Sequence, residues 1–134
     1  RSIHALSYRN MHPTIPNREL GYVGYCTNCT FSIDQYYMHE KTFYKHVDIA
    51  DINGFNFSHC DFSVAKNIQG VDYTSCSAIA SYSAKFAVTG NGIPVNKSSF
   101  TGFYKAVNVT KTALTPRTFS IRDGLFNETN KEYM

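Results

Sequence analysis

Leucine is scarce in this chain of 134 residues: only Leu6, Leu20, Leu114 and Leu125 occur. Helical bundles and coiled coils build their seams largely from leucine, so this scarcity argues against both. Tryptophan is absent altogether, although there are ten Phe and ten Tyr. Charged residues make up only 17% of the chain against 43% hydrophobic residues, which excludes an intrinsically disordered segment. No run comes near the ~20 apolar residues a membrane-spanning helix requires, and no signal-peptide pattern is present. A soluble chain without a membrane span is therefore expected. What remains is rich in aromatic and β-branched side chains that pack on pleated sheets. Ser or Thr stands at 24 positions and Asn at 11, supplying turns. The composition predicts one mainly β domain over residues 1–134.

The chain begins at Arg1 rather than Met, as expected of a processed product, a polyprotein piece or an excised piece. Its four cysteines, Cys26, Cys29, Cys60 and Cys76, allow two disulfides in an oxidising compartment or four buried thiols in a reducing one. Five Asn-x-Ser/Thr sequons occur, at Asn28, Asn56, Asn96, Asn108 and Asn127, where composition predicts roughly two by chance. The excess favours an extracellular or secreted glycoprotein with these asparagines as glycan acceptors.

Residues 1–46 lack a sustained period and read as an N-terminal arm. Within it, Ser32 and Gln35 form a capping box ahead of Ile33, Tyr36, Tyr37, Tyr44 and Val47, which predicts a helix over 33–46. A quasi-periodic β region follows over 47–122, and 123–134 reads as a C-terminal tail. The periodic unit is five residues long: small apolar, Asp or Asn, large apolar, Ser or Thr, variable. It is clearest in Ala50-Asp-Ile-Asn-Gly, Phe55-Asn-Phe-Ser-His, Cys60-Asp-Phe-Ser-Val and Val71-Asp-Tyr-Thr-Ser. These residues resemble the pentapeptide-repeat family. The resemblance implies a right-handed quadrilateral β-helix, each unit forming one side of a square coil. It would place Ile52, Phe57, Phe62, Tyr73, Phe100, Val109, Leu114 and Phe119 in a central stack. Ala50, Cys60, Ala65, Val71 and Cys76 would form a layer of small residues beside it. The alternating segments around Phe55–Ser58 and Asp61–Val64 are equally compatible with an antiparallel β-sandwich or barrel. Because the unit itself places Asn before a large residue and Ser or Thr after it, the sequons at Asn56 and Asn108 also follow from the repeat.

Few residue groups suggest chemistry. Cys26-Thr-Asn-Cys29 is a C-x-x-C pair, but zinc would require two further ligands and thioredoxin-type redox a βαβ setting. His59 and Cys60 are sequence neighbours, which on a strand face opposite ways, so His59 cannot serve as the base for that thiol. Neither His4, His12, His39 nor His46 shows metal-ligand spacing, and the interior acids Asp48, Asp51, Asp61 and Asp72 form no glycosidase-type pair. Gly90-Asn-Gly92 is a turn signal, read as a hairpin tip or an inserted loop between Thr89 and Pro94. No cofactor, metal or enzymatic activity is expected.

Charge is unevenly placed. No acidic residue lies between Asp72 and Asp123, whereas Lys85, Lys97, Lys105, Lys111, Arg117 and Arg122 do. Of these, Lys97, Lys105, Lys111, Arg117 and Arg122, with Phe103 and Tyr104, form the candidate binding set. A basic surface with interleaved aromatics suits an acidic protein or a sialylated or sulfated glycan, while the absence of an RNA-binding signature disfavours nucleic acid. Two functions remain: a non-catalytic protein-interaction scaffold, as a module of a larger secreted or effector protein, and a receptor- or glycan-binding domain of a secreted or viral surface glycoprotein.

Overall fold

A computed structural model describes residues 6–9, 24–32, 45–64, 77–103, 105–110 and 118–127. About 70% of these are in strands and none is in a helix. Twelve strands follow in order: β1 (Leu6–Arg9), β2 (Gly24–Thr27), β3 (Thr30–Ser32), β4 (Lys45–Ala50), β5 (Phe55–Ser58), β6 (Asp61–Ser63), β7 (Ser77–Tyr82), β8 (Phe86–Thr89), β9 (Ser98–Thr101), β10 (Lys105–Thr110), β11 (Phe119–Ile121) and β12 (Gly124–Asn127). They assemble into three four-stranded sheets, β1-β4-β7-β10, β2-β5-β8-β11 and β3-β6-β9-β12. Every strand pair within the sheets is parallel. The chain visits the sheets in turn and returns to the first one strand further along. Among the described residues the result is a β-helix-like stack of four coils built on three sheets, each coil of about thirty residues, within the period expected of solenoids.

Parallel pairing rules out the antiparallel sandwich or barrel. Among the described residues the parallel strands form three sheets, a β-helix-like arrangement. The five-residue spacing has a simple origin nonetheless. Along Phe55–Val64, two inward residues separated by one outward residue make a side, and a short corner leads to the next pair. Phe55 and Phe57 point inward on β5, His59 turns the corner, and Cys60 and Phe62 point inward beyond it. Of the expected central stack, Ile52, Phe57, Phe62 and Phe100 are buried, as are Ala50 and Cys60 of the small layer. Val109 and Phe119 are instead substantially exposed, and both belong to the last described coil. Tyr73, Leu114, Ala65, Val71 and Cys76 lie outside the described residues.

Residues 6–9 and 24–32 of the expected arm belong to the stack, since β1, β2 and β3 form its first coil. Lys45 and His46, the end of the expected helix, begin strand β4, and 33–44 lie outside the described residues. Likewise Gly124–Asn127 of the expected tail forms β12.

The inward faces of the three sheets share one core that includes Val47, Ile49, Phe57, Phe62, Val88 and Phe100. In-register parallel strands put equivalent residues one strand spacing apart, and aromatic rings exploit this. Phe31, Phe62, Phe100 and Phe126 form a continuous row through the third sheet, with centroids 4.8, 4.9 and 4.9 Å apart and planes within 9° of parallel. Strand β4 is buried on both faces, and its one acid, Asp48, is neutralised by Arg9 and by Lys45 at 3.4 Å. Pairing of this kind is what allows a carboxylate to be buried.

Candidate functional site

The corner between the second and third sheets is turned by one left-handed residue in three of the four coils: Asn28 (φ 55°), His59 (φ 50°) and Asp123 (φ 57°). Short polar side chains tolerate this region better than β-branched ones. Their backbones continue the ladder between coils. The Asn28 N–H donates to Ser58 O at 3.0 Å, and the His59 N–H donates to Thr89 O at 3.0 Å. The side chains are joined as well, because Asn28 Oδ1 accepts from His59 Nδ1 at 2.8 Å and from Asn91 Nδ2 at 3.0 Å.

The third coil departs from this rule. Where its neighbours use one residue, it inserts Gly90–Lys97 between β8 and β9. Asn91 and Asn96 close the insertion with a two-bond antiparallel bridge, N–H to O distances being 3.0 and 2.7 Å. Gly92, at φ 80°, turns its tip. Gly90 is required by close approach, since a Cβ there would lie 2.4 Å from Val95 Cγ1 and 2.7 Å from Asn96 O. The base is fastened by Ser98, whose hydroxyl donates to Thr89 O at 2.8 Å and accepts the Cys60 N–H at 3.0 Å. This ordered loop carries Ile93 at full exposure, 102%, and Val95 half exposed. The turn was legible from Gly90-Asn-Gly92. The apolar tip, Ile93-Pro94-Val95 set among turn formers, was the signal that sequence reasoning passed over.

The candidate binding set is dispersed. Lys97 ends the loop and Arg122 precedes Asp123 at the same corner, both exposed. Lys105 is exposed at the start of β10, beyond the third sheet, and Lys85 lies between β7 and β8. Phe103 is a correction: it is fully buried, its ring 5.3 Å from that of His46 and perpendicular to it, because the chain turns inward after Gly102. Tyr104, Lys111 and Arg117 lie outside the described residues.

Cys26, Cys29 and Cys60 gather beside this corner as free thiols, and Cys76 lies outside the described residues. Burial pushes the Cys26 thiol up to about 11, helped by the neighbouring Cys29 and Cys60, and burial likewise raises Cys60. The Cys60 Sγ–H donates to Cys26 O at 3.3 Å. A protonated, hydrogen-bonded thiol is a poor nucleophile. Among the described residues no group of three or more His, Cys, Asp or Glu side chains is arranged to hold a metal ion. His59 is outward while Cys60 is inward, so the two do not form a dyad.

The sequon asparagines are spread over the surface. Asn28 and Asn96 belong to the corner and its loop. Asn56 lies on the outer face of the second sheet, where its Oδ1 accepts the Thr89 hydroxyl at 3.3 Å. Asn108 is in β10 and Asn127 ends β12. Beside Asn56 a cavity of about 420 Å³ opens at the start of β5, β8 and β11, rimmed by Asn53, Lys85, Thr118 and Ser120. No protein family, curated protein or solved structure gives a match to this chain.

Proposed function

We propose that the chain is a non-catalytic protein-interaction scaffold, a module that presents the Gly90–Lys97 loop to a protein partner. One observation carries this reading: the third coil replaces a one-residue corner by a hydrogen-bonded loop whose apolar tip contacts solvent. The stack does not need the insertion, since the other described coils turn the same corner without it. Interface hot spots form where an anchor side chain fills a desolvated pocket of the partner, a position open to the exposed Ile93 and Val95. Lys97 and Arg122 at its base favour a partner whose apolar pocket has an acidic rim.

The test compares the wild-type chain with Ile93→Asp and Val95→Asp as bait for proteins from its source. Both substitutions lie on an exposed tip, so thermal unfolding is expected to be unchanged while a defined partner is lost. Partners retained equally by the wild type and both variants would overturn the proposal.

A second reading, binding of a receptor glycan, is favoured by the cavity beside Asn56, whose amide, hydroxyl and ammonium rim suits sugar hydroxyls and whose volume suits a small ligand. Binding of oligosaccharides that Asn56→Ala weakens and Ile93→Asp leaves intact would select it. Secretion and glycosylation belong to that reading. Among the described residues no helix is long and apolar enough to cross a membrane.

A further inference from the structure

Cys26, Cys29 and Cys60 stand together at the corner between the second and third sheets. Thr27 pairs with Ser58 before this corner and Thr30 with Asp61 after it, so the first two coils turn it in register. Cys29 therefore lies directly across the ladder from Cys60, as Asn28 does from His59. Two hydrogen bonds hold that alignment: the Asp61 N–H donates to Cys29 O at 2.9 Å, and His59 Nδ1 meets Asn28 Oδ1 at 2.8 Å. The Cys60 thiol is turned toward the first coil, where it donates to Cys26 O at 3.3 Å, and it lies within hydrogen-bonding reach of the Cys29 thiol. In-register neighbours on parallel strands have Cα atoms about 4.8 Å apart, inside the roughly 4.4–6.8 Å that a disulfide spans. The Cys26 thiol is also near Cys29, but Cys26 belongs to β2, on the other side of the left-handed Asn28, and pairs across the ladder with Phe57.

We propose that Cys29 and Cys60 form an oxidisable pair whose disulfide staples the first coil to the second. The oxidant is a small-molecule disulfide of the glutathione type. Cys29 is partly exposed whereas Cys60 is fully buried, so the oxidant enters at Cys29. Cys26 is partly exposed too, but burial keeps its thiol protonated and a poor competitor for the first attack. The Cys29 thiolate attacks one sulfur of the oxidant, displaces one glutathione and is left as a mixed disulfide. The Cys60 sulfur then attacks Cys29 Sγ and displaces the second glutathione. Two protein thiols become one disulfide, and the two departing glutathione thiolates take up the protons the cysteines give up. Closing residues 29–60 into a loop restricts the unfolded chain, so the oxidised stack should resist unfolding better than the reduced one.

The whole reduced chain, incubated folded with oxidised glutathione, quenched in acid, alkylated and digested with trypsin, tests this. Free thiols should fall from four to two per chain, with peptides 19–41 and 46–66 linked. The urea midpoint of the oxidised chain should lie above that of the reduced chain. Cys29→Ser should abolish both changes and Cys26→Ser should preserve them. Cys60→Ser buries a hydroxyl, so Cys29→Ser, at a partly exposed position, is the deciding variant. A bond closed within peptide 19–41, a bond to Cys76, mixed disulfides that do not resolve, or four persistent thiols overturns the proposal. So does loss of the link in Cys26→Ser, or an oxidised chain whose urea midpoint is unchanged.

Discussion

At the scale of single residues, the core depends on rings held between rings. Phe62 is fully buried, with Phe31 and Phe100 stacked on its two faces, and it also meets Phe57 edge-on at 5.8 Å. Truncating it removes ring contacts above, below and beside it and leaves a cavity. Phe62→Ala is expected to lose about 3–5 kcal/mol of stability, read as a shift in the urea midpoint. Phe62→Asp and Phe57→Asp should not fold at all, since each would bury an unpaired charge. Near-wild-type melting of either Asp variant would show that the side chain is not interior. His46 gives a pH-dependent counterpart. Burial holds its pKa below the ordinary 6.5, outweighing the Nε2–H bond it donates to Ser63 O at 2.9 Å. In the unfolded chain this histidine takes up a proton as pH falls through about 6.5, whereas the folded chain does so only at lower pH. The unfolded state then binds more protons, so stability that is complete above pH 6.5 is lost progressively as the pH falls toward the folded value. Denaturant midpoints measured from pH 7.5 to 5 should decline for the wild type and decline less steeply for His46→Gln. Equal slopes would mean that His46 is not buried as a neutral ring.

At the scale of elements, corners decide which parts of the fold can vary. If the Gly90–Lys97 loop is an addition to the stack, replacing it by a single Asn should restore the corner of the neighbouring coils. Loop closure depends only weakly on length, so the replacement should change stability by no more than about 2 kcal/mol while abolishing partner binding. A variant that fails to fold would instead make the loop part of the stack, with the Asn91–Asn28 bond as its essential tie. Asp51 turns the corner between the first and second sheets at φ 54°, so Asp51→Val should cost about 1–2 kcal/mol and Asp51→Gly much less. These corners also explain what the sequence revealed. Where a side is two inward residues and the corner is short, as over Ala50–Val64, the fivefold spacing marks Ile52, Phe57, Cys60 and Phe62 correctly as interior. Where strands are longer, as in the six-residue β4, β7 and β10, that phase is lost. The number of sheets was not legible, because the spacing along one side does not count the sides of the coil. Phe103 was misread for a local reason: its aromatic ring sits beside Lys105 in sequence, but the left-handed Gly102 turns it inward. The loop's exposed tip was hidden because apolar residues ordinarily signal burial.

At the scale of the whole molecule, each coil touches only its neighbours, and stability should therefore accumulate coil by coil. The second and third coils are covered on both sides, and their inward residues Phe57, Phe62, Val88 and Phe100 are fully buried. The last coil is paired on one side among the described residues and presents Phe119 and Phe126 half covered. Amide hydrogen exchange of the monomer should accordingly be slowest in β5, β6, β8 and β9, and faster in β11 and β12. Substitutions then separate local from global opening. Phe126→Ala removes the terminal ring of its row and should accelerate exchange in β12 and β11 while sparing β5 and β6. Phe62→Ala cuts the row in its middle and should accelerate exchange in all four coils. Acceleration spread evenly over every strand in Phe126→Ala would show that the stack opens as one unit, and the nearest-neighbour account of its stability would then be wrong.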